Sequence, residues 1–503
     1  MPPTYLGDLP LSSLHRYGRE LLDWISAYLA DPERYPVLAQ VRPGTVTAAL
    51  PASPPAGPES LADILADAER VLLPGVTHWN HPGFFAYFAI SSSIPGLLGE
   101  LLAAALNVNA MLWTAAPAAT ELEAVALDWL RQLLGMGPGW FGLIHDTASV
   151  STLVALAAAR EADPALAVRE RGMAGRPDLP ALRVYCSGQA HSSVDKAAIT
   201  LGIGHANVVK VPVDDAFRMR PDALAAAMDE DRARGLRPVA VVATTGTTGT
   251  TSIDPVRAIA AVCREHGAWL HVDGAYGGPA AVVPELRHVL DGVELADSLV
   301  VNPHKWLFTP LDCSVLYTRR PDVLKRAFSL IPEYLVTRVP ADGDAAGAEA
   351  ARVDLMDYGV QLGRRFRALK LWMVLRAFGA EGLAERLRYH VHLAQTFAAW
   401  VDAEPDWEIA APHPLSLVCF RYAPAGLGPD EQDAANARIL AAVNAGGEVF
   451  LSHTRLRGRY VLRLAVGNIR TEERHVARAC ELLRAAAVGD AAVRDTAVSA
   501  AVS

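Results

Sequence analysis

Apolar positions along the chain follow two periods, and the change between them marks out the fold. Short continuous apolar runs bounded by turn residues predict buried strands over 182–186, 208–211, 239–243, 269–273, 299–301 and 314–317. Helical-period segments lie between several of them, which is the signature of an α/β protein with a large, mostly parallel sheet covered on both faces. A helix-sized segment, 284–295, separates two of these strands and predicts one strand–helix–strand unit. Further on, 363–367 opens a long helix to about Trp400. A smaller α/β unit follows, with strands over 417–422 and 460–466 and helices over 431–444 and 472–487.

Near the N-terminus, Leu14, Tyr17, Leu21, Ile25, Tyr28 and Leu29 recur at helical spacing, giving an amphipathic helix over 13–30. Residues 41–58 read as an extended connector, and Ser60 with Asp63 caps a second helix through about Leu73. Two such helices on an extended arm cannot make a core alone, so they pack either on their own subunit or on a partner. Thr120 and Glu123 form a capping box for a helix reaching Leu134, closed by Gly135. These readings divide the chain into an arm (1–90), a large α/β domain (91–365), a small C-terminal α/β domain (366–488) and a low-complexity tail (489–503) expected to be disordered.

Composition narrows the function classes. The 503 residues are 51% hydrophobic and 20% charged, as in soluble globular proteins, and too many for one simple core. A formal net charge of -9 with no basic run argues against nucleic acid as a partner. The five cysteines have no CxxC spacing, which suggests neither a disulfide framework nor a metal site and fits a cytoplasmic protein. The N-terminus lacks the pattern of a signal peptide. The most apolar window, 94–113, contains Pro95, Glu100, Asn107 and Asn109, so it reads as buried helix and loop rather than a membrane span.

The candidate chemistry sits in DSLVVNPHKWLF, 297–308. Its apolar strand delivers Asn302, His304, Lys305 and Trp306 to the C-terminal lip of the sheet, where ligands bind in open α/β folds. Desolvation there lowers a lysine pKa and frees the neutral amine that a Schiff base needs. Lys305 alone reads as a surface lysine after a strand. Thirty-two residues upstream, however, another strand ends in Asp273 and the turn Gly274-Ala275-Tyr276-Gly277-Gly278, on the same edge. A lysine with an aspartate to partner a pyridinium nitrogen is the pairing that pyridoxal phosphate (PLP) demands. Asp146-Thr147-Ala148-Ser149 opens a helical run whose free N–H groups suit an anion. The segment 78–88, HWNHPGFFAYF, reads as core or as the wall of a flat apolar pocket, and 328–351 is the least core-like interior stretch, expected to be mobile.

NPHKW, HVDGAYGG, QAHSS at 189–193 and GVTHW at 75–79 occur in matching order with the PLP-dependent group II decarboxylases. From about 11 to 483 the chain resembles the aromatic-L-amino-acid decarboxylase type. The resemblance implies a fold type I enzyme, an obligate homodimer whose arms clasp each other and whose active sites lie at the subunit interface. It makes Lys305 the Schiff-base lysine, Asp273 the partner of the ring nitrogen and His191 the residue stacked on the cofactor ring. Ala148, Ser149, Ser298 and Asn302 are assigned to the phosphate, and Thr248, Ala275 and His304 to the cofactor's surroundings. Trp79, Tyr87, Phe88, Ile90, Met111 and Gly363 are assigned to the substrate pocket. Tyr334, at the start of the mobile segment, is the lid tyrosine that protonates the substrate carbon.

The chain departs from the family pattern at Ala89-Ile90, where Pro-Thr is common, and at Met111, where animal enzymes have Phe. It also has Asp146-Thr147 in place of Gly-Ser, which is unfavourable beside a phosphate unless the carboxylate points away. The implied reaction converts an aromatic L-amino acid (Phe, Tyr, Trp or DOPA) to its arylalkylamine and CO₂. An oxidative variant yielding aldehyde is the alternative, and retention of both Tyr334 and His191 points to plain decarboxylation. A catalytically silent scaffold is disfavoured by the presence of Lys305 and Asp273, and NAD chemistry by the lack of a GxGxxG after a strand.

Overall fold

The computed structural model describes residues 8–330 and 353–502, the side chains of the last ten excepted. Seven strands form the large sheet: β1 (Phe141–His145), β2 (Leu182–Ser187), β3 (Val208–Val211), β4 (Arg237–Thr244), β5 (Trp269–Asp273), β6 (Ser298–Val301) and β7 (Ser314–Thr318). Their order is β1-β7-β6-β5-β4-β2-β3. The β3–β2–β4–β5–β6 run is parallel, while β7 pairs antiparallel with both β6 and β1. Six of these strands match the sequence expectation. β1 does not, because FGLIH is only half-buried at its start and closes the sheet solely by pairing with β7, a partner distant in sequence.

The crossover between β5 and β6 contains no α-helix. It is three 3₁₀ turns, Gly278–Val282, Pro284–Leu290 and Val293–Leu295. Pro279 and Pro284 each start a turn, and Gly292 at φ +88° separates the last two. A Cβ at Gly292 would lie 2.6 Å from the Arg257 backbone nitrogen, so the turn fits only glycine there.

Other local signals were overridden. The expected capping box is absent: the helix starts at Pro117, and the Thr120 hydroxyl donates back to the Ala116 and Pro117 carbonyls. The connector carries a short helix, Thr45–Ala49. Ser60 does cap its helix, but the α-helix ends at Asp67 and continues as a π turn and a 3₁₀ turn. The long helix is Ala368–Ala403, interrupted by Gly379 at φ +63°, so the arginines of 364–367 precede it. The C-terminal helix runs on as Glu473–Val502 through the stretch expected to be disordered, and Asp490 pairs with Arg438.

The apolar window is helix Ile94–Leu106, only one face of which is buried. Gly99 lets it approach Lys370, where a Cβ would meet the lysine Cα at 2.6 Å. Ile94, Leu98, Leu101, Leu102 and Leu106 remain exposed on the other face. No helix among the described residues is long and apolar enough to cross a membrane.

A second, antiparallel sheet has the order β10-β11-β9-β8, with β8 (Trp407–Ile409), β9 (Leu417–Tyr422), β10 (Ser452–Leu456) and β11 (Arg459–Ala465); helix Pro429–Ala445 packs on it, and helix Glu473–Val502 packs on that helix. The long helix serves both cores. Its buried positions through Leu387 belong to the core of the large sheet, and those from Leu393 to the core of the small one.

Candidate active site

β5 and β6 are adjacent and parallel, with Asp273 in register with Val300, so both strands end at one lip. Every residue in them is buried. After β6 the chain makes a single turn, Pro303–Trp306, in which the Lys305 N–H donates to the Asn302 carbonyl (3.0 Å). Burial lowers the Lys305 pKa below that of an ordinary lysine, and the Asp273 carboxylate opposes the shift. Asp273 Oδ1 accepts from the Ala275 N–H at 3.1 Å, which orients the carboxylate. His191 leaves β2 on an exposed turn, its Nδ1 accepting from the Ser193 N–H (3.1 Å). Burial lowers its pKa, Asp273 opposes and Lys305 adds to the shift, so these three groups share one neighbourhood.

His304 is buried, accepts from the Cys313 N–H at 2.9 Å, and is held neutral by burial and the Lys305 charge, its pKa lowered to about 3. Asn302 is buried at the lip with its side-chain oxygen unmatched, and the Thr245 hydroxyl beside Gly274 is likewise unmatched. Thr248 is exposed, and its carbonyl accepts from Arg463. Ala148 and Ser149 open helix Ala148–Glu161 without a side-chain cap. Asp146 accepts from the Thr147 N–H through its own carboxylate (2.6 Å), at the N-cap of that helix, and lies near the Arg367 charge.

Ser298 is a correction. It opens β6, at the far end of the strand from the lip, and its buried hydroxyl is taken by Trp269 Nε1 and His271 Nδ1, both at 2.8 Å. The assignment to phosphate followed the motif, whereas strand direction places the hydroxyl beneath the sheet edge. Tyr334 and most of the expected lid lie outside the described residues.

The aromatic segment meets the lip through Phe88. Its ring centroid is 5.4 Å from Lys305 Nζ and 5.6 Å from the Arg463 guanidinium. Tyr87 adopts φ +54°, a left-handed turn that leaves it half exposed between Trp79 and Phe450 while Phe88 points inward. Ala89 packs beside Gly467, and Ile90 is half-buried. Met111 and Gly363 converge on Asn109. The adjoining Arg364 is no solvated face: it makes a buried pair with Glu123, which also accepts from the Ile144 N–H.

Sequence reasoning missed Arg463. It is buried, donates to the Thr248 and Gly249 carbonyls and to Ser452 Oγ, and has no carboxylate partner among the described residues. The available signal was a lone arginine inside the apolar strand YVLRLAV.

A parallel-rich sheet, a desolvated lysine and a carboxylate at one lip define a PLP enzyme. The family model "pyridoxal-dependent decarboxylase conserved domain" matches residues 43–423, and the chain belongs to that family. It is 41% identical to phenylacetaldehyde synthase of Arabidopsis thaliana over 94% of this chain and 95% of that protein. Tryptophan decarboxylase 2 of Oryza sativa subsp. japonica is 39% identical over 95% of each chain. The crystal structure of Oryza sativa TDC with PLP and tryptamine superposes with a TM-score of 0.91 at 38% identity, covering 96% of this chain and 99% of that one. PLP is the cofactor, and the residues fit it: an amine for its aldehyde, a carboxylate for its ring nitrogen, and a buried unmatched amide beside them.

Proposed function

We propose that this enzyme decarboxylates an aromatic L-amino acid of the Phe, Tyr, Trp or DOPA class to the amine and CO₂, as a cytoplasmic homodimer. The observation that carries the reading is the cluster of half-buried Lys305 with buried Asp273, Phe88 and Arg463 at one sheet lip. Bound PLP supplies a protonated ring that accepts the electrons of the breaking Cα–carboxylate bond. Lys305 would hold the cofactor through an amine whose pKa burial lowers, which favours the neutral form a Schiff base needs. Asp273 would keep the proton on the ring nitrogen, and the N–H groups of Ala148 and Ser149 with Asn302 would hold the phosphate. Phe88, Trp79 and Tyr87 offer apolar faces to an aromatic side chain, and Arg463, an unpaired cation beside Phe88, orients a carboxylate.

Neutral His191 and Tyr334 are assigned to proton delivery at Cα, and this pair favours amine over aldehyde. Support for the dimer comes from the bare apolar faces of helices Leu11–Ala30 and Ile94–Leu106. Five free cysteines, all buried, support a reducing compartment. The oxidative reading stays in view because two relatives bear the name phenylacetaldehyde synthase. The test is to incubate purified enzyme and PLP with each aromatic L-amino acid and quantify amine, aldehyde, peroxide and CO₂. Amine and CO₂ in equal amounts are expected; aldehyde with peroxide would replace this reading by the oxidative one.

A further inference from the structure

Trp306 follows Lys305 directly, and its indole is fully buried. Two contacts fix it from different sides. Its N–H donates to Nδ1 of buried His390 at 3.0 Å, on the helix Ala368–Ala403. His390 also interacts with the Asn468 backbone. The Asn468 side-chain amide then donates to the carbonyls of Trp79 (2.9 Å) and His81 (3.0 Å). On its face, Trp306 stacks with Tyr276, centroids 4.9 Å apart and planes 8° from parallel. Tyr276 stacks in turn on Phe88 at 3.7 Å. The Tyr276 hydroxyl bonds Ser416 Oγ, which donates to the Val466 carbonyl at 2.6 Å, so the tyrosine is the donor to Ser416.

Both routes start at the residue beside the lysine and end at opposite ends of the aromatic segment, Trp79 and Phe88. We infer that Trp306, held by His390 and Tyr276, is a positioning residue that fixes the Lys305 amine relative to the aromatic pocket. This inference rests on the functional reading above. The polar atoms of the hydrogen-bonded route are matched and buried, so it cannot shift without leaving a donor or acceptor unpaired. A misplacement of about 1 Å at such a site lowers rate by up to about a hundredfold.

The test uses holoenzyme: wild type, His390→Leu, His390→Gln, Tyr276→Leu and Tyr276→Phe. Melting temperature, the visible circular dichroism of bound PLP, and kcat and KM per mole of bound cofactor are measured for each. The two leucine variants should lower kcat/KM about tenfold or more and alter the cofactor dichroism. His390→Gln, whose amide can accept from the indole and donate to Asn468, should restore both, and Tyr276→Phe, which keeps the stack, should hold kcat/KM within about threefold. Leucine variants with wild-type kcat/KM and dichroism would reduce Trp306 to ordinary core and overturn the inference. If they do not fold, His390→Asn, too short to reach both partners, decides by the same criteria. Wild-type enzyme that makes no amine would sink the functional reading instead, while the dichroism of the variants still reports on the strut.

Discussion

The lip formed by β5 and β6 and the first helix, Leu11–Ala30, are both strongly patterned in sequence, yet they end in opposite states. Every residue of the two strands is buried, whereas the helix has no buried residue, and Leu11 and Leu14 are 76% and 69% exposed. The helix is tied to the chain mainly by polar contacts near its end, Tyr28 to His78 (2.9 Å) and then Glu33 to Arg474. Patterning announces that a face will be covered. It does not say by what, and in the arm the cover is not supplied by the described residues.

Lys305→Ala breaks the comparison at its most demanding point. Amine release should fall by at least about a thousandfold, with loss of the PLP absorption band, and activity within tenfold of wild type would remove the lip from the chemistry. Tyr334→Phe should divert most product from amine to aldehyde; unchanged product ratios by chromatography would show that this tyrosine does not deliver the proton. Arg364→Leu leaves the buried Glu123 carboxylate unpaired and should cost about 3–5 kcal/mol in denaturant unfolding. Leu14→Asp with Leu21→Asp should shift the sedimentation velocity from dimer to monomer, while each replacement changes subunit stability by no more than about 0.5 kcal/mol. A species that sediments unchanged would mean the bare face is not an interface.

Acid should separate the two regions as well. Burial depresses His145 to about 3, His271 to about 4 and His304 to about 3, from an ordinary value of 6.5. The unfolded chain therefore takes up more protons below pH 6.5, and stability around the lip declines as pH falls from there toward 4. Glu33 behaves differently: hydrogen bonding from Arg474 lowers it from 4.5 to about 2, so its contribution is complete above pH 4.5 and is lost only toward pH 2. Melting temperatures should drop between pH 7 and pH 5, and a flat profile over that range would contradict the burial of these imidazoles.

The lip was legible because buried strands announce themselves locally, through short apolar runs and the turns that follow them. What escaped depends on distant partners. β1 exists because β7 lies beside it, and β8 is only three residues long. Thr120 and Glu123 match a local capping pattern, but Pro117 starts the helix a turn earlier and Glu123 is claimed by Arg364, far along the chain. The Ser298 assignment was motif-based and ignored which end of a strand faces the ligand. Arg463 could have been flagged as a cation in an apolar strand, although its neighbours, Phe88 and Gly249, come from two other regions.

The helix Ala368–Ala403 has a further consequence through the handover between its two cores at Leu387 and Leu393. Gly379 lies ahead of that handover and gives no slack there. A helix advances about 1.5 Å and turns about 100° per residue. Adding a single residue after Leu387 would therefore swing one core about a third of a revolution around the other. The two cores are geared by one screw whose phase is written in the length of the chain between them. That stretch of helix, with His390 at its centre, cannot change length without turning the two cores out of phase.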